Sequence, residues 1–170
     1  MGLVARDRRR PQTWRTKHGA SLDRHIDPEA ILLGVTADSN EAVIRQLASR
    51  LEALGYVKPS YADAVVKREQ TMPTGLPLGL AENVAVPHTD PIHVNKAGVG
   101  LAVLSKPVDF ANMEEPDEAV SVGIVFLLAI NDKDKQIEML QEIMGTIQSP
   151  EALAGLKQAA SVDDVRAVLS

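Results

Sequence analysis

Two of the four histidines, His88 and His93, stand where an apolar run opens into a polar one, in Asn83-Val84-Ala85-Val86-Pro87-His88-Thr89-Asp90-Pro91-Ile92-His93. A residue just past the carboxyl end of a buried strand is held by a stiff scaffold yet meets solvent, which is where α/β proteins place functional groups. Pro87 stiffens the approach, because its ring fixes φ. An imidazole with an ordinary pKa near 6.5 presents a free lone pair over much of its population near pH 7, as attack on a phosphoryl group requires. The same ring is equally compatible with an exposed or hydrogen-bonded bystander. A phosphorylated imidazole needs donors for its phosphoryl oxygens, and the planar fork of Arg suits two of them. Arg68, near the end of a helical pattern that feeds a Pro/Gly-rich loop, is the candidate; the alternative is a solvated or salt-bridged Arg.

Read as metal ligands, His88, Asp90 and His93 have types suited to zinc or iron. Pro91 between them prevents the helical spacing that puts two histidines on one face, and the remaining histidines, His18 and His25, lie near the start of the chain. A metal-dependent hydrolase is therefore disfavoured, and no cofactor is expected. The absence of cysteine excludes disulfides, thiol nucleophiles and thiolate metal sites. No leader-like apolar segment follows the basic start, and the apolar run Ala119 to Ile130 is too short for a membrane span of roughly 20 residues, so a cytoplasmic protein is expected.

The net charge of −5 hides an asymmetry: Met1 to His25 carries seven Lys or Arg against two Asp, and the rest is acidic. Residues 1–25 read as a basic, flexible extension without apolar period, holding the only Trp, Trp14, and the triplet Arg8-Arg9-Arg10. No basic face accompanies it, so no nucleic-acid partner is expected.

The elements that must position these residues occupy 26–170. Ile31 to Val35 reads as an extended segment. Val43, Leu47, Leu51 and Leu54 form one helical stripe, with Asp38 or Ser39 as N-cap and Gly55 beyond the end. A second helix starts after Ser60 and runs to about Gln70. Pro73, Gly75, Pro77 and Gly79 make a loop that delivers the chain into Val84-Ala85-Val86. Gly98 to Leu104 and Ala119 to Ile130 read as buried strands, separated by Pro107 and the acidic loop Glu114 to Glu118. A third helix has Ile137, Leu140, Met144 and Ile147 on one face, and shorter helices begin at Pro150 and after Ser161. With 3% aromatic residues, aliphatic side chains must fill the core. The pattern predicts a single α/β domain.

Lys67-Arg68-Glu69-Gln70-Thr71-Met72-Pro73-Thr74-Gly75-Leu76 followed by Val84-Ala85-Val86-Pro87-His88 resembles the mannitol/fructose-type IIA family of the bacterial sugar phosphotransferase system (PTS). That family's pattern is an Arg-Glu pair, a Pro-Thr-Gly loop and an Ala-Ile/Val-Pro-His string, and the likeness extends over residues 26–170. The resemblance implies a central mixed β-sheet flanked by helices. It also implies a phosphotransferase component with a phosphohistidine intermediate: an HPr-type carrier phosphorylates His88, which passes the group to a cysteine of a IIB partner, with the membrane IIC component involved only indirectly. Arg68 matches the arginine beside the phosphate, and Thr74 a loop hydroxyl that donates to it. Where many members carry a second active-site histidine, this sequence has Gln136 in Asp134-Lys135-Gln136-Ile137-Glu138, which cannot relay a proton near neutrality. Gln136 and the continuation to Ile92-His93 are similar to the galactitol-type branch. His93 then stands either as a substitute second histidine or as an exposed bystander. The rival reading within this resemblance is a regulatory IIA-like module whose phosphorylation state is read by binding partners.

Overall fold

The computed structural model describes residues 20–170. The expectations for Met1 to Gly19, including those on Trp14, His18 and the Arg triplet, lie outside the described residues. The inner end of the expected extension packs on the domain. Ala20–Asp23 forms a helical turn, Leu22 is fully buried, and Asp23 meets Arg166 at 3.4 Å. Arg24 pairs with Glu138, and His25 Nε2 lies 2.7 Å from Glu142 Oε1. A lone buried Leu gives no periodicity, which is why sequence reading starts the domain at Ile26.

Five strands follow: β1 (Ile26–Val35), β2 (Gly75–Leu76), β3 (Val84–Ala85), β4 (Gly98–Ala111) and β5 (Ala119–Ala129). They form one sheet in the order β1-β4-β5-β3-β2. β1 runs parallel to β4, and β3 parallel to β5; the β4–β5 and β2–β3 pairs are antiparallel, so the sheet is mixed. Two outcomes differ from expectation. β4 continues through Pro107 to Ala111 with a shift of register between Val103 and Val108, because a residue without N–H is tolerated at a bulge. β2 lies inside the segment read as loop.

Among the described residues five helices cover the sheet: α1 (Asn40–Ala53), α2 (Tyr61–Thr71), α3 (Lys133–Ile147), α4 (Pro150–Gln158) and α5 (Val162–Leu169). None is long and apolar enough to cross a membrane. Ser39 caps α1 by accepting from the Ala42 amide, and Gly55 beyond it takes the positive φ of 88° that ends the helix. Alternation along β5 feeds two cores. Val125, Leu127 and Ala129 face α1 and α2 together with Leu47, Leu51, Tyr61 and Val65. Ile124, Phe126 and Leu128 face α3 to α5, with Met139, Ile143, Leu156 and Val165.

The inward stripe of α3 keeps Ile147 and, at its edge, Leu140 from the face read from the sequence, but not Ile137 or Met144. Met139, Ile143, Thr146 and Ile147 are buried, whereas Ile137 is 56% and Met144 41% exposed. Apolar residues at helical spacing lie on both sides of the inward line, so the period sets the helix but not its rotation about its axis.

Candidate functional site

The site is assembled where β3 ends. Gly75 pairs with Ala85 and Leu76 with Val84, and the Val86 amide reaches the Thr74 carbonyl at 3.4 Å. This short antiparallel ladder folds the end of α2 back on the strand that carries His88, although twenty residues separate Arg68 from His88. The approach is tight at Gly75, where a Cβ would lie 2.6 Å from the Ala111 carbonyl oxygen and 3.2 Å from Phe110 Cβ. Gly75→Ala is accordingly expected to destabilise the fold by about 1–3 kcal/mol, read as a lower urea midpoint at unchanged slope.

His88 is held from both sides. The Leu128 amide donates to the Pro87 carbonyl at 3.0 Å, and His88 bridges to Leu128 beside the end of β5. The Leu128 carbonyl in turn accepts from the buried Tyr61 hydroxyl at 2.6 Å. Tyr61, which sequence reading passed over, thus ties the start of α2 to the strand that seats the histidine. Its signal was there: one of two tyrosines in an aromatic-poor chain, directly after a helix-start Ser. Tyr61→Phe leaves a buried carbonyl without its partner and is expected to lower stability by about 1–3 kcal/mol, measured by denaturant unfolding.

His88 Nδ1 lies 2.9 Å from the Val86 carbonyl oxygen. A carbonyl only accepts, so Nδ1 carries the proton and Nε2 the lone pair. Burial is the main cause lowering the pKa of the ring below its ordinary value; Arg68 pushes the same way, while the Val86 bond and Asp90 oppose. The ring therefore stays neutral, and its Nε2 nucleophilic, to lower pH than a free histidine.

Arg68 stands within electrostatic reach of His88, and its Nη1 is 3.9 Å from Asp90 Oδ1. Its Nε is buried with no hydrogen-bond partner, so the guanidinium has donor capacity the protein leaves unused. The neighbouring Glu69 is buried, and its two oxygens accept from the Thr74 amide at 2.8 Å and the Thr74 hydroxyl at 2.9 Å. Burial pushes its carboxyl up to about 7 against the opposing Thr74 bonds and Arg68 charge. Glu69 was visible in the sequence only as half of the Arg-Glu pair; an acid between that Arg and a Pro-Thr-Gly loop is the signal for a loop anchor.

The other candidates fall differently. Thr74, expected as a hydroxyl donor to the phosphoryl group, is buried, and in this structure its hydroxyl donates to Glu69. His93 ends the 3₁₀ turn Pro91–His93 and its Nδ1 lies 2.8 Å from Ser60 Oγ, at the far end of α2 from Arg68. That contact joins the Pro91–His93 turn to the start of α2, and among the described residues no hydrogen bond joins His93 to His88. Gln136 occupies the first turn of α3, half-buried, and among the described residues no hydrogen bond joins it to His88. The trio His88, Asp90 and His93 does not converge. Among the described residues the ligand atoms close enough to share an ion belong to His25, Glu138 and Glu142, where Arg24 and Lys135 already face the carboxylates.

The geometry thus joins a half-buried imidazole with a defined nucleophilic nitrogen to an arginine with spare donors. Comparison with known proteins gives it a family. The family described as phosphoenolpyruvate-dependent sugar phosphotransferase system, EIIA 2, matches residues 24–170. The mannitol-specific EIICBA component of Vibrio cholerae is 30% identical over 146 residues, which cover 85% of this chain and 21% of that protein. The galactitol-specific EIIA component of Escherichia coli K12 is 25% identical over 123 residues, 72% of this chain and 81% of that protein. The chain therefore spans about a fifth of the first relative and most of the second. Among solved structures, the Escherichia coli complex of enzyme IIA-mannitol with phosphorylated enzyme IIB-mannitol matches with a TM-score of 0.70 at 28% identity, covering 85% of this chain and 96% of that one. An α/β domain with this mixed sheet, this histidine and this match over nearly its whole described length belongs to the EIIA 2 family of the sugar phosphotransferase system.

Proposed function

We propose that this chain is a phosphocarrier that takes a phosphoryl group from an HPr-type phosphohistidine donor on Nε2 of His88 and hands it to the cysteine of a IIB partner. The observation that carries this reading is that His88, whose Nδ1 is fixed on the Val86 carbonyl, lies within electrostatic reach of Arg68, whose Nε is buried and unpartnered. In the first step the donor's N–P bond breaks, its electron pair stays on the donor imidazole, and the Nε2 lone pair of His88 forms the new bond. In the second step the sulfur of a IIB thiolate forms a P–S bond and Nε2 recovers its pair. The Nδ1 proton remains on the ring throughout, where the Val86 carbonyl stabilises the charge that N-phosphorylation creates. Neither step asks a second side chain to relay a proton, which is compatible with Gln at 136. Transfer of this kind is governed by positioning and charge stabilisation.

The IIB partner is supported by the structural relative that is itself a complex with phosphorylated IIB. A polyol of the mannitol or galactitol kind is supported by the names of the relatives, and the galactitol-like choice by Gln136 and the Ile92-His93 continuation. The site of action is the cytoplasm, with IIC engaged only through IIB.

The test is incubation with a phosphorylated HPr-type donor, intact-mass spectrometry at neutral or alkaline pH, and then addition of a IIB domain. The expected result is one phosphoryl group, mapped to His88, that moves to the IIB cysteine. No uptake, or uptake at another residue, overturns the reading. Uptake without transfer to any IIB identifies a regulatory module instead.

A further inference from the structure

We propose that Asp90 is the resting counter-ion of Arg68 and is displaced when His88 carries a phosphoryl group, so that Asp90 sets how tightly the histidine holds its cargo. The inference rests on the phosphocarrier reading above and assigns a positioning residue to it.

Three observations carry it. Asp90 is two residues beyond His88, and its Oδ1 is 3.9 Å from Arg68 Nη1, an ion pair too long for a hydrogen bond. Asp90 precedes the Pro91–His93 turn yet makes no capping bond with its side chain, which is 75% exposed, so nothing else in the described structure fixes the carboxylate. Arg68 is the better-held partner: its side chain is 33% exposed and its Nε is buried without an acceptor. A loosely paired carboxylate thus faces a guanidinium with unused donors.

A phosphoryl group on Nε2 offers Arg68 three oxygens, which suit the guanidinium fork better than one distant carboxylate oxygen. Its negative charge also repels Asp90, whose charge reaches the ring of His88. Phosphorylation therefore exchanges one anionic partner of Arg68 for another. Part of the stabilisation that Arg68 gives the phosphoryl group is offset by losing Asp90. The offset raises the tendency of His88 to give the group up, as a carrier that must pass it on requires.

The experiment measures the equilibrium of phosphoryl exchange between a phosphorylated HPr-type donor and wild type, Asp90→Asn, Asp90→Glu, Arg68→Ala and the double variant Asp90→Asn/Arg68→Ala, from both directions. At low ionic strength Asp90→Asn is expected to shift the equilibrium toward phosphorylated protein by about three- to tenfold, with Asp90→Glu near wild type. Salt near 0.5 M is expected to shrink the shift, because the charges are exposed. In the Arg68→Ala background the shift is expected to fall below about twofold, the non-additivity of two residues acting through one contact. A purely structural role for Asp90 moves the thermal midpoint and not this salt-dependent equilibrium. Equal equilibrium constants for wild type and Asp90→Asn at low salt overturn the proposal, as does a full shift persisting without Arg68. A wild type that takes up no phosphoryl group overturns the phosphocarrier reading itself, a separate result.

Discussion

His88→Ala is expected to take up no phosphoryl group, and Arg68→Ala to take it up roughly ten- to a thousandfold more slowly, measured by rapid quench with a phosphorylated HPr-type donor. The first effect is complete because Nε2 forms the bond. The second corresponds to losing about 1.4–4 kcal/mol of transition-state stabilisation, the range for removing one charge-stabilising donor. Arg68 suits that role because its Nε is buried with no hydrogen-bond partner in the protein. Both half-reactions are expected to slow, because uptake from the donor and delivery to IIB pass through the same charge distribution at the phosphorus. Gln136→Ala is expected to cost less than Arg68→Ala, having no bond to His88 to lose. Wild-type rates for Arg68→Ala in both directions would remove it from the site.

Glu69 is expected to give the next largest effect, and its sign depends on pH. Burial lifts the carboxyl from an ordinary value of 4.5 to about 7 in the folded protein. The folded state therefore binds this proton more tightly than the unfolded chain, and the contribution of Glu69 to stability falls as pH rises from about 4.5 to about 7, by about 3 kcal/mol in all. Glu69→Gln removes that dependence while keeping an acceptor for the Thr74 amide and a donor to its hydroxyl oxygen. The wild-type and Gln variant unfolding curves are thus expected to converge in acid and separate toward pH 8 in favour of Gln. Glu69→Ala is different: it strands the buried Thr74 amide and frees the loop, for a loss of about 2–3 kcal/mol and slower uptake through a displaced Arg68. Parallel pH profiles for wild type and Glu69→Gln would show that the carboxyl does not titrate in this range.

How far the sequence reaches is clearest in neighbouring elements. Helix α1 was legible in its inward face, because Val43, Leu47 and Leu51 repeat at helical spacing ahead of Gly55, while the choice of Ser39 over Asp38 as cap and the place of Leu54 as the half-buried C-cap came from the structure. Helix α3 was legible as a helix but not in its rotation: Met139 and Ile143 lie inward and Ile137 and Met144 outward, and only contact with the sheet sets which side turns inward. Strand β2 was hidden because two residues have no period, and pairing with β3 alone defines it. At the site, the place of His88 past a buried strand was readable from Val84 to Pro87. The partners of the polar groups were not: the turn at Pro91 aims His93 at Ser60, and Glu69 captures Thr74. Short-range sequence patterns record burial, whereas a hydrogen bond across the fold depends on where the chain returns.

The sheet order places β1 and β2 at its two margins, and this bears on self-association. An exposed strand margin is a template on which another chain adds by backbone pairing, and long, flat, apolar margins are the hazardous ones. Here β2 is only two residues long. β1 is long, but it carries Asp27, Pro28 and Glu29 near its start, two of them exposed, and its register with β4 slips between Ile26 and Ile31 and again between Leu32 and Val35. Pro28 lacks the N–H that an added strand needs, the charges resist burial, and the slips break the straight run of free amides. Among the described residues the aliphatic strands β4 and β5 are thus kept inside the sheet, and the margins are formed by a two-residue strand and by one whose start carries charge and proline.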